Sequence, residues 1–216
     1  MIIGILPSTK TRGDHVSELA TLSQNKIIDR LKKSLDATYD VPPSNDDKPM
    51  RQAAVLVPFV EVDGEWSLLF IQRSEHENDC HSGQVAFAGG RYEESDEDMF
   101  ATALRETHEE IGVLPEDVTV LGQLNHHYSI SNYQITPVVA TMPWPYDLTL
   151  EEAEVAATFT IPLRWLTDTT NYRVEERILN GKSLPVVYFE PYDGYVLWGA
   201  TARMTLSLID LMSTNP

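Results

Sequence analysis

A short acidic segment near the middle of the chain constrains the fold more than any other feature. The residues from Arg105 to Gly112 read RETHEEIG and place three carboxylates on about one and a half helical turns. Glu106, Glu109 and Glu110 are neighbours on one side of such a helix, because residues three and four apart meet. A second side carries an apolar stripe, so the helix packs with one face and concentrates negative charge on another. The stripe consists of Phe100, Leu104, Thr107 and Ile111.

Both ends of this helix are marked in the sequence. Ser95 and Asp98 have the spacing of a capping box, and acidic residues crowd the predicted first turn. Gly112, followed by Pro115, is a stop signal. The pattern therefore predicts a helix that begins close to Ser95 and ends at Gly112.

The crowded carboxylates indicate a metal site. They repel one another, and Arg105, one turn before Glu109, offsets only part of the repulsion. A divalent cation would remove the rest. Because every candidate ligand is oxygen, Mg²⁺ or Mn²⁺ is favoured over zinc, and such a cation commonly shares its shell with substrate phosphates. A solvated acidic face is the alternative, but a Gly-Gly pair, an acidic loop and an Arg-Glu pair in fixed order argue against it.

The segment from Gly89 to Val113 resembles the Nudix box, G-x5-E-x7-R-E-U-x-E-E-x-G-U, in which U is a bulky apolar residue. Nudix enzymes hydrolyse nucleoside diphosphates linked to another group. The loop is one residue longer than the pattern, which leaves Arg91 where the first glycine belongs and Glu97 at the acidic position. Thr107 occupies an apolar slot. Neither departure removes a carboxylate of the Arg-Glu-x-x-Glu-Glu core.

The resemblance implies roles for individual residues. Glu106, Glu109 and Glu110 would be metal ligands, with Gly89 as a ligand through its backbone carbonyl and Arg105 as the group that orients the glutamates. Ligand and base roles interchange among such enzymes, so the catalytic base is either a box glutamate or an acid from a distant loop. The sequence offers three loop acids, and we favour the last because it precedes a Val-Ala-Ala run; a solvated loop is the stronger alternative for each. They are Glu151, Glu152 and Glu154.

Further segments are similar to the coenzyme A pyrophosphatases of the Nudix superfamily. They lie at 51–58, 73–74, 83–90, 136–139 and 196–202, and span most of the chain. Two features depart from that group: the stretch between Arg73 and Gly83 is one residue longer and lacks the usual arginine, and Ala88 replaces the usual proline. Arg51, Arg73 and Gln84 are candidates for contact with the substrate, because these family-like segments place Arg73 and Gln84 close to the box in the sequence. A structural salt bridge is the alternative for each arginine.

The sequence thus predicts a Mg²⁺-dependent pyrophosphohydrolase whose first candidate substrate is coenzyme A, acyl-CoA or dephospho-CoA. ADP-ribose, NADH or a dinucleoside polyphosphate is the runner-up, because the missing arginine would have helped to hold the three phosphates of coenzyme A. A noncatalytic domain that binds a nucleotide is a different class of function. The intact glutamate core argues against it, because a pure binder has no need of mutually repelling carboxylates.

Composition excludes several other classes of protein. Sixteen basic residues stand against 33 acidic ones, and the formal net charge of −17 argues against binding to a nucleic-acid backbone. The partner is instead expected to be a small nucleotide, whose phosphates need metal ions and local arginines to overcome this field. No apolar run approaches ~20 residues and the first residues lack a basic leader, so we expect no membrane span and a cytoplasmic location. A homodimer is left open.

Coarse patterning places the predicted chemistry in an α+β fold. Residues 15–36 read as one or two helical pieces, a breaker-rich linker follows at 40–48, and a last helix covers 201–212. Strand-like runs lie at 53–62, 66–72, 84–88, 118–124, 134–141, 186–190 and 194–197, and Asp63-Gly64 predicts a hairpin between the first two. Mixed strands around a helix predict an α/β/α sandwich, the mixed sheet between helices that the Nudix resemblance also implies. We expect a helical appendage and linker at 1–48 and the catalytic domain at 49–216.

Overall fold

The structure is a computed structural model, and it describes residues 22–34, 49–76, 82–129, 131–179 and 182–213. The predicted linker at 40–48 lies outside the described residues. The described helices are α1 (Gln24–Ser34), α2 (Met99–Ile111), α3 (Leu163–Leu166) and α4 (Gly199–Ser213), with a 3₁₀ turn at Pro115–Asp117. The described strands are β1 (Arg51–Val62), β2 (Glu65–Arg73), β3 (Val85–Ala86), β4 (Gly89–Arg91), β5 (Thr119–Gln123), β6 (His127–Tyr128), β7 (Tyr133–Thr141), β8 (Val155–Pro162), β9 (Tyr172–Leu179) and β10 (Lys182–Phe189).

Strand β1 lies at the centre of a mixed sheet. It pairs in parallel with β7 and antiparallel with β2 and β4. Among the described residues the sheet has the order β3-β2-β1-β7-β5, with β8 on β2 and β6 on β7. The hairpin predicted between β1 and β2 is confirmed: Asp63 and Gly64 both have positive φ, at 51° and 81°, as a tight hairpin turn requires.

The two faces of the sheet are covered by different helices. Successive side chains of β1 point to opposite faces. Ala54 and Leu56 pack in a cluster with Ala103 of α2, whereas Val57 and Phe59 belong to the larger core that includes residues of α1 and α4. The predicted α+β sandwich, with a mixed sheet between helices, is therefore confirmed.

Helix α1 is part of this core. Its Ile27 and Leu31 are buried in the larger cluster, and the helix contacts β5 and α4. The proposed division of the chain into an appendage at 1–48 and a domain at 49–216 stays a prediction. In the described part of the chain, no helix has the length and apolar character needed to cross a membrane.

Several elements differ from the sequence prediction. Strands β8 and β9 were not predicted, because β8 is rich in alanine and threonine and β9 alternates apolar with charged residues, so neither carries a strong apolar signal. The strand predicted at 194–197 is wrong: Tyr192 and Tyr195 form only an isolated bridge around the turn, and α4 begins at Gly199. The run at 84–88 is interrupted, and β3 and β4 occupy its two ends.

Candidate active site

Helix α2 carries the candidate site and begins later than predicted. Asp98, not Ser95, is its N-cap: the Asp98 carboxylate accepts a hydrogen bond from the Ala101 amide at 2.8 Å. The prediction of Ser95 as the cap is wrong, and no acidic residue lies in the first turn. The predicted end is confirmed, because Gly112 has φ 73° and donates its amide to the His108 carbonyl.

The apolar stripe of α2 faces the sheet as predicted, and its one polar member is accommodated. Thr107 is buried, and its hydroxyl donates to the Ala103 carbonyl at 2.7 Å. This bond satisfies the hydroxyl within the helix, which explains how a threonine occupies an apolar position.

Arg105 organises the carboxylates on the exposed side of α2. Its Nη1 lies 2.9 Å from Glu109 Oε2, and its Nη2 lies 3.1 Å from Glu106 Oε1. The same Nη2 donates to the Arg91 carbonyl at 2.9 Å. One guanidinium therefore contacts two box glutamates and the backbone of β4.

Asp96 fixes the other side of this guanidinium, and sequence reasoning missed it. Its carboxylate accepts from Arg105 Nε at 2.9 Å and Nη2 at 3.1 Å, and also from the Thr102 hydroxyl. These hydrogen bonds, with that from Arg105 the largest influence, hold the pKa of Asp96 well below its usual range. Glu97, which counting along the box placed at the acidic position, is exposed. The extra residue in the loop after Gly90 could have pointed to Asp96, because it changes which acidic residue reaches Arg105.

Glu110 lies on the buried side of the cluster. It is 2% exposed, and its Oε2 accepts a hydrogen bond of 2.9 Å from the Gly89 amide. Burial raises its pKa to about 7, although the Gly89 amide and the charge of Arg73 act in the opposite direction. Gly89 can take this position only without a side chain, because a Cβ there would lie 2.3 Å from the Ala54 carbonyl oxygen at a φ of 149°.

Glu106 lies against the second glycine of the box. A Cβ on Gly90 would meet the Glu106 carboxylate at 2.5 Å, so this glycine leaves room for the carboxylate beside β4. Burial raises the pKa of Glu106, and the positive charge of Arg105 lowers it. The negative charge of Glu106 in turn raises the pKa of Glu110, so the glutamates do repel one another as the sequence suggested.

Glu154 comes close to the box from a distant part of the chain. Its negative charge raises the pKa of both Glu106 and Glu110. The Ser74 amide donates to its carbonyl at 2.9 Å, and β2 pairs with β8 so that Arg73 faces Val155. This pairing brings the exposed Glu154 near enough for its charge to act on the glutamates of α2.

The three candidates for substrate contact divide into two groups. Arg73 lies beside the box, with its Nη1 3.9 Å from Glu110 Oε1, and its amide donates to the Gln84 carbonyl at 2.9 Å. Arg51 lies at the start of β1, where its guanidinium covers the ring of Tyr133 at 4.0 Å and donates to the Ser131 carbonyl. The structure thus brings Arg73 to Glu110, with the Gln84 backbone paired to Arg73, and places Arg51 against Tyr133 at the start of β1.

The donor atoms of this site suit a hard divalent cation. The side-chain donors are carboxylate oxygens. The pKa values of Glu106 and Glu110 are raised first by burial, and the negative charges of neighbouring carboxylates add to the effect. Within the described residues, no group of three His, Cys, Asp or Glu side chains is gathered closely enough to hold a metal ion. Glu106 and Glu109 instead turn to Arg105, and the Glu109 side chain, 56% exposed, has room to turn away.

Comparison with known proteins identifies the family. The profile described as the NUDIX domain matches residues 50–179, more than half of the chain. The chain belongs to the Nudix family. The segment matched includes α2, both glycines of β4 and Glu154, so the arginine-centred site lies within the Nudix domain.

Relatives agree with this assignment. The chain is 37% identical over 166 residues to a protein of Escherichia coli O7:K1 named "Uncharacterized Nudix hydrolase NudL", covering 77% of this chain and 85% of the relative. A Shigella boydii protein of the same name matches to the same extent. Among solved structures, a MutT/nudix family protein from Enterococcus faecalis covers 94% of this chain and 74% of its own, with 13% identity and a TM-score of 0.48. The family match and the two NudL relatives identify the chain as a Nudix hydrolase, an enzyme acting on nucleoside diphosphate derivatives.

Proposed function

We propose that this Nudix hydrolase cleaves the pyrophosphate bond of coenzyme A, acyl-CoA or dephospho-CoA in the presence of Mg²⁺ or Mn²⁺. The observation that carries the proposal is the network around Arg105. This guanidinium is fixed by Asp96 and by the Arg91 carbonyl, and it holds Glu106 and Glu109 on the side of α2 that Glu110 borders. A chain with a net charge of −17 has assembled negative charge where a polyphosphate has to bind, which requires a cation.

The glutamates would hold that cation. Glu106, Glu109 and Glu110 would supply carboxylate oxygens and Gly89 its backbone carbonyl. A Mg²⁺ or Mn²⁺ ion bound there would neutralise charge on the phosphates and lower the pKa of the attacking water. Arg105 would orient two of these carboxylates, and Arg73, which lies 3.9 Å from Glu110, would contact a phosphate oxygen.

We assign Glu154 as the general base. Hydrolysis requires a group that accepts the proton of the attacking water within reach of the scissile phosphate. The Glu154 carboxylate is exposed, and its charge acts on both Glu106 and Glu110. A box glutamate is the other candidate, and Glu154→Gln distinguishes the two: we expect a decrease of about 10²-fold or more in kcat if Glu154 is the base, and a change below about threefold otherwise.

Other substrates of the same bond type are the runners-up. ADP-ribose, NADH and dinucleoside polyphosphates share the pyrophosphate linkage, and the arginine missing between Arg73 and Gly83 weakens the argument for coenzyme A. A noncatalytic domain that binds a nucleotide is the alternative from another class. The positioned Arg105 network favours catalysis, because a binding module would gain nothing from orienting two repelling carboxylates.

A nucleotide panel tests the proposal. The purified chain is incubated with Mg²⁺ and coenzyme A, dephospho-CoA, ADP-ribose, NADH or a dinucleoside polyphosphate, and the products are identified by chromatography and mass spectrometry. We expect two phosphate-containing products from the coenzyme A compounds and loss of turnover by orders of magnitude in Glu109→Gln. Glu116→Gln, which removes an exposed charge shortly after α2, is the matched control. Turnover of other nucleotides alone would refute the coenzyme A assignment, and binding without products would show a noncatalytic domain.

A further inference from the structure

Two arginines converge on one tyrosine beside the glutamate cluster. The guanidinium carbon of Arg51 lies 4.0 Å from the centre of the Tyr133 ring, and that of Arg91 lies 5.7 Å from the same centre. Arg91 Nε also donates to the Tyr133 hydroxyl at 2.6 Å. We call these three residues the arginine clamp.

Strand pairing places the clamp at the edge of the candidate site. Arg51 faces Tyr133 in the parallel register of β1 and β7, and Arg91 ends β4, two residues along β1 from Arg51 in register. Arg91 gives its backbone carbonyl to Arg105 and its side chain to Tyr133. Arg91 therefore belongs to the clamp through its side chain and contacts Arg105 of the glutamate cluster through its backbone. The two sites are close enough for a single nucleotide to contact both.

The clamp has unused capacity for an anion. Both arginines are exposed, and among the residues described by the structure neither forms a salt bridge with an acid. A guanidinium has five N–H donors. One donor of Arg51 is used by the Ser131 carbonyl, and one of Arg91 by Tyr133. The Tyr133 hydroxyl accepts that bond, and its own proton has no acceptor in the described part of the chain, so it too can donate.

Electrostatics favours a ligand of high negative charge here. Two like charges held over one ring repel each other. The chain has 33 acidic residues, yet in the described part of the chain no carboxylate forms a salt bridge with either arginine. An oxyanion between the two guanidiniums would relieve the repulsion. A phosphate monoester fits best, because it carries close to two negative charges and several acceptor oxygens for forked donors.

We infer that Arg51, Arg91 and Tyr133 form a subsite for a phosphate monoester that the substrate carries outside its scissile pyrophosphate. The inference rests on the proposed function, since it names a determinant of specificity for the same reaction. It assigns to the enzyme a substrate class, nucleoside diphosphate derivatives with an additional phosphate on the ribose. The pyrophosphate itself belongs at the glutamate cluster, with the cation that those carboxylates would hold.

Matched substrate pairs test the subsite. Coenzyme A and dephospho-CoA differ only in one ribose phosphate, as do NADPH and NADH. We expect kcat/KM of the unaltered enzyme to be about tenfold or more higher for the phosphorylated member of a pair. In Arg51→Gln/Arg91→Gln this preference disappears, because KM rises more for the phosphorylated member than for its partner, and kcat/KM becomes equal for the two members. Arg51→Lys should lose part of the preference, because it keeps the charge but not the fork.

A control variant separates this effect from the loss of charge or stability. Arg173→Gln removes another exposed arginine from the face of a tyrosine, Tyr188, in the β9–β10 hairpin. It should leave both members of each pair unaffected, and melting temperatures of all variants show whether they fold. Equal kcat/KM for both members in the unaltered enzyme, or equal loss for both in the double variant, overturns the subsite.

Failure of the proposed hydrolytic function can be distinguished from failure of the subsite. If no nucleotide is hydrolysed, the hydrolytic assignment falls, and calorimetric binding of the same pairs then tests the clamp directly. Tighter binding of the phosphorylated member that depends on Arg51 and Arg91 supports the subsite. Equal binding of both members overturns it.

Discussion

Arg105 is the residue on which the geometry of the candidate site depends. It contacts Asp96, Glu106 and Glu109 and the backbone of β4, and its own pKa is raised above the usual value, first by the hydrogen bond with Asp96. The side chain that determines the orientation of the glutamates is therefore itself oriented by a buried carboxylate in the preceding loop. This arrangement makes Asp96 a positioning residue.

Replacing Asp96 tests that role. In Asp96→Asn the Arg105 guanidinium loses its charged acceptor, so we expect the free energy of unfolding to fall by about 2 kcal/mol and kcat to fall while KM changes less. Glu97→Gln, one residue away and exposed, is the matched control and should change stability by less than about 0.5 kcal/mol. Urea denaturation and steady-state kinetics on the preferred nucleotide give both values. Equal effects of the two substitutions would contradict the assignment of Asp96 and support Glu97 as the box acid.

The buried carboxylate of Glu110 makes stability depend on pH in the metal-free protein. Folding raises its pKa from 4.5 to about 7, so between these values the folded state binds more protons than the unfolded state. The free energy of unfolding contributed by this group is therefore fully present below pH 4.5 and is lost as the pH rises to about 7. We expect Glu110→Gln to remove this part of the pH dependence.

Denaturation in EDTA at pH 5 and at pH 8 measures the effect of Glu110. The unaltered protein should lose more stability between the two pH values than Glu110→Gln does. Glu116→Gln, at an exposed position, serves as the control and should follow the unaltered protein. Identical pH profiles for all three proteins would show that Glu110 does not titrate in this range.

Among the elements, the short strand β4 connects the sheet to the chemistry of α2. It pairs with β1, donates an amide to Glu110 through Gly89, accepts from Arg105 through the Arg91 carbonyl, and lies against Glu106 through Gly90. Three consecutive residues of one strand thus contact three different side chains of one helix. The two glycines have different tasks, since Gly89 faces the backbone of β1 and Gly90 faces a carboxylate.

Alanine at each glycine distinguishes these tasks. In Gly90→Ala the atoms nearest to the new Cβ would be those of the Glu106 carboxylate, at the end of a side chain that can move. We therefore expect turnover to fall about tenfold or more, while stability changes by less than about 1 kcal/mol. In Gly89→Ala the Cβ would meet the backbone of Ala54 and Val55 at a positive φ, so we expect a loss of several kcal/mol in stability. Thermal melting and kinetics measure the two variants. Similar melting temperatures for both would contradict this division.

At the scale of the whole molecule, the charge balance governs how a nucleotide can bind. The net charge of −17 repels phosphates everywhere except where cations reverse the field, and the described site provides Arg73, Arg105 and the arginine clamp. We therefore expect a bound divalent ion to be needed for affinity as well as for chemistry.

Metal removal tests this requirement. In EDTA we expect no turnover and an affinity for the preferred nucleotide at least about tenfold lower, because the carboxylates then face the phosphates without a cation. Mg²⁺ or Mn²⁺ should restore both properties in the unaltered protein and in Glu116→Gln, but not in Glu109→Gln. Calorimetry gives the affinities. Nucleotide binding of equal strength with and without divalent ions would contradict the electrostatic argument.

The sequence by itself determined the parts of this protein that depend on local patterning. The period of α2, its stop at Gly112, the turn at Asp63-Gly64 and the central strands β1, β2 and β7 all follow from residue spacing, because their signals lie within one element. The box glutamates were recognisable for the same reason. Strands β8 and β9 lack such a signal and are stabilised by pairing with β2 and β10, which only the folded chain brings to them.

Only the tertiary structure decided which side chains meet. The choice of Asp96 over Glu97 depends on the path of a loop that is one residue longer than the usual box, and a single residue changes which acid points inward. The charge of Glu154 acts on Glu106 and Glu110, and Arg51 and Arg91 share Tyr133, although these segments are about 40 to 80 residues apart in the chain. Residue spacing in the sequence does not predict such contacts, because they arise from strand pairing and register.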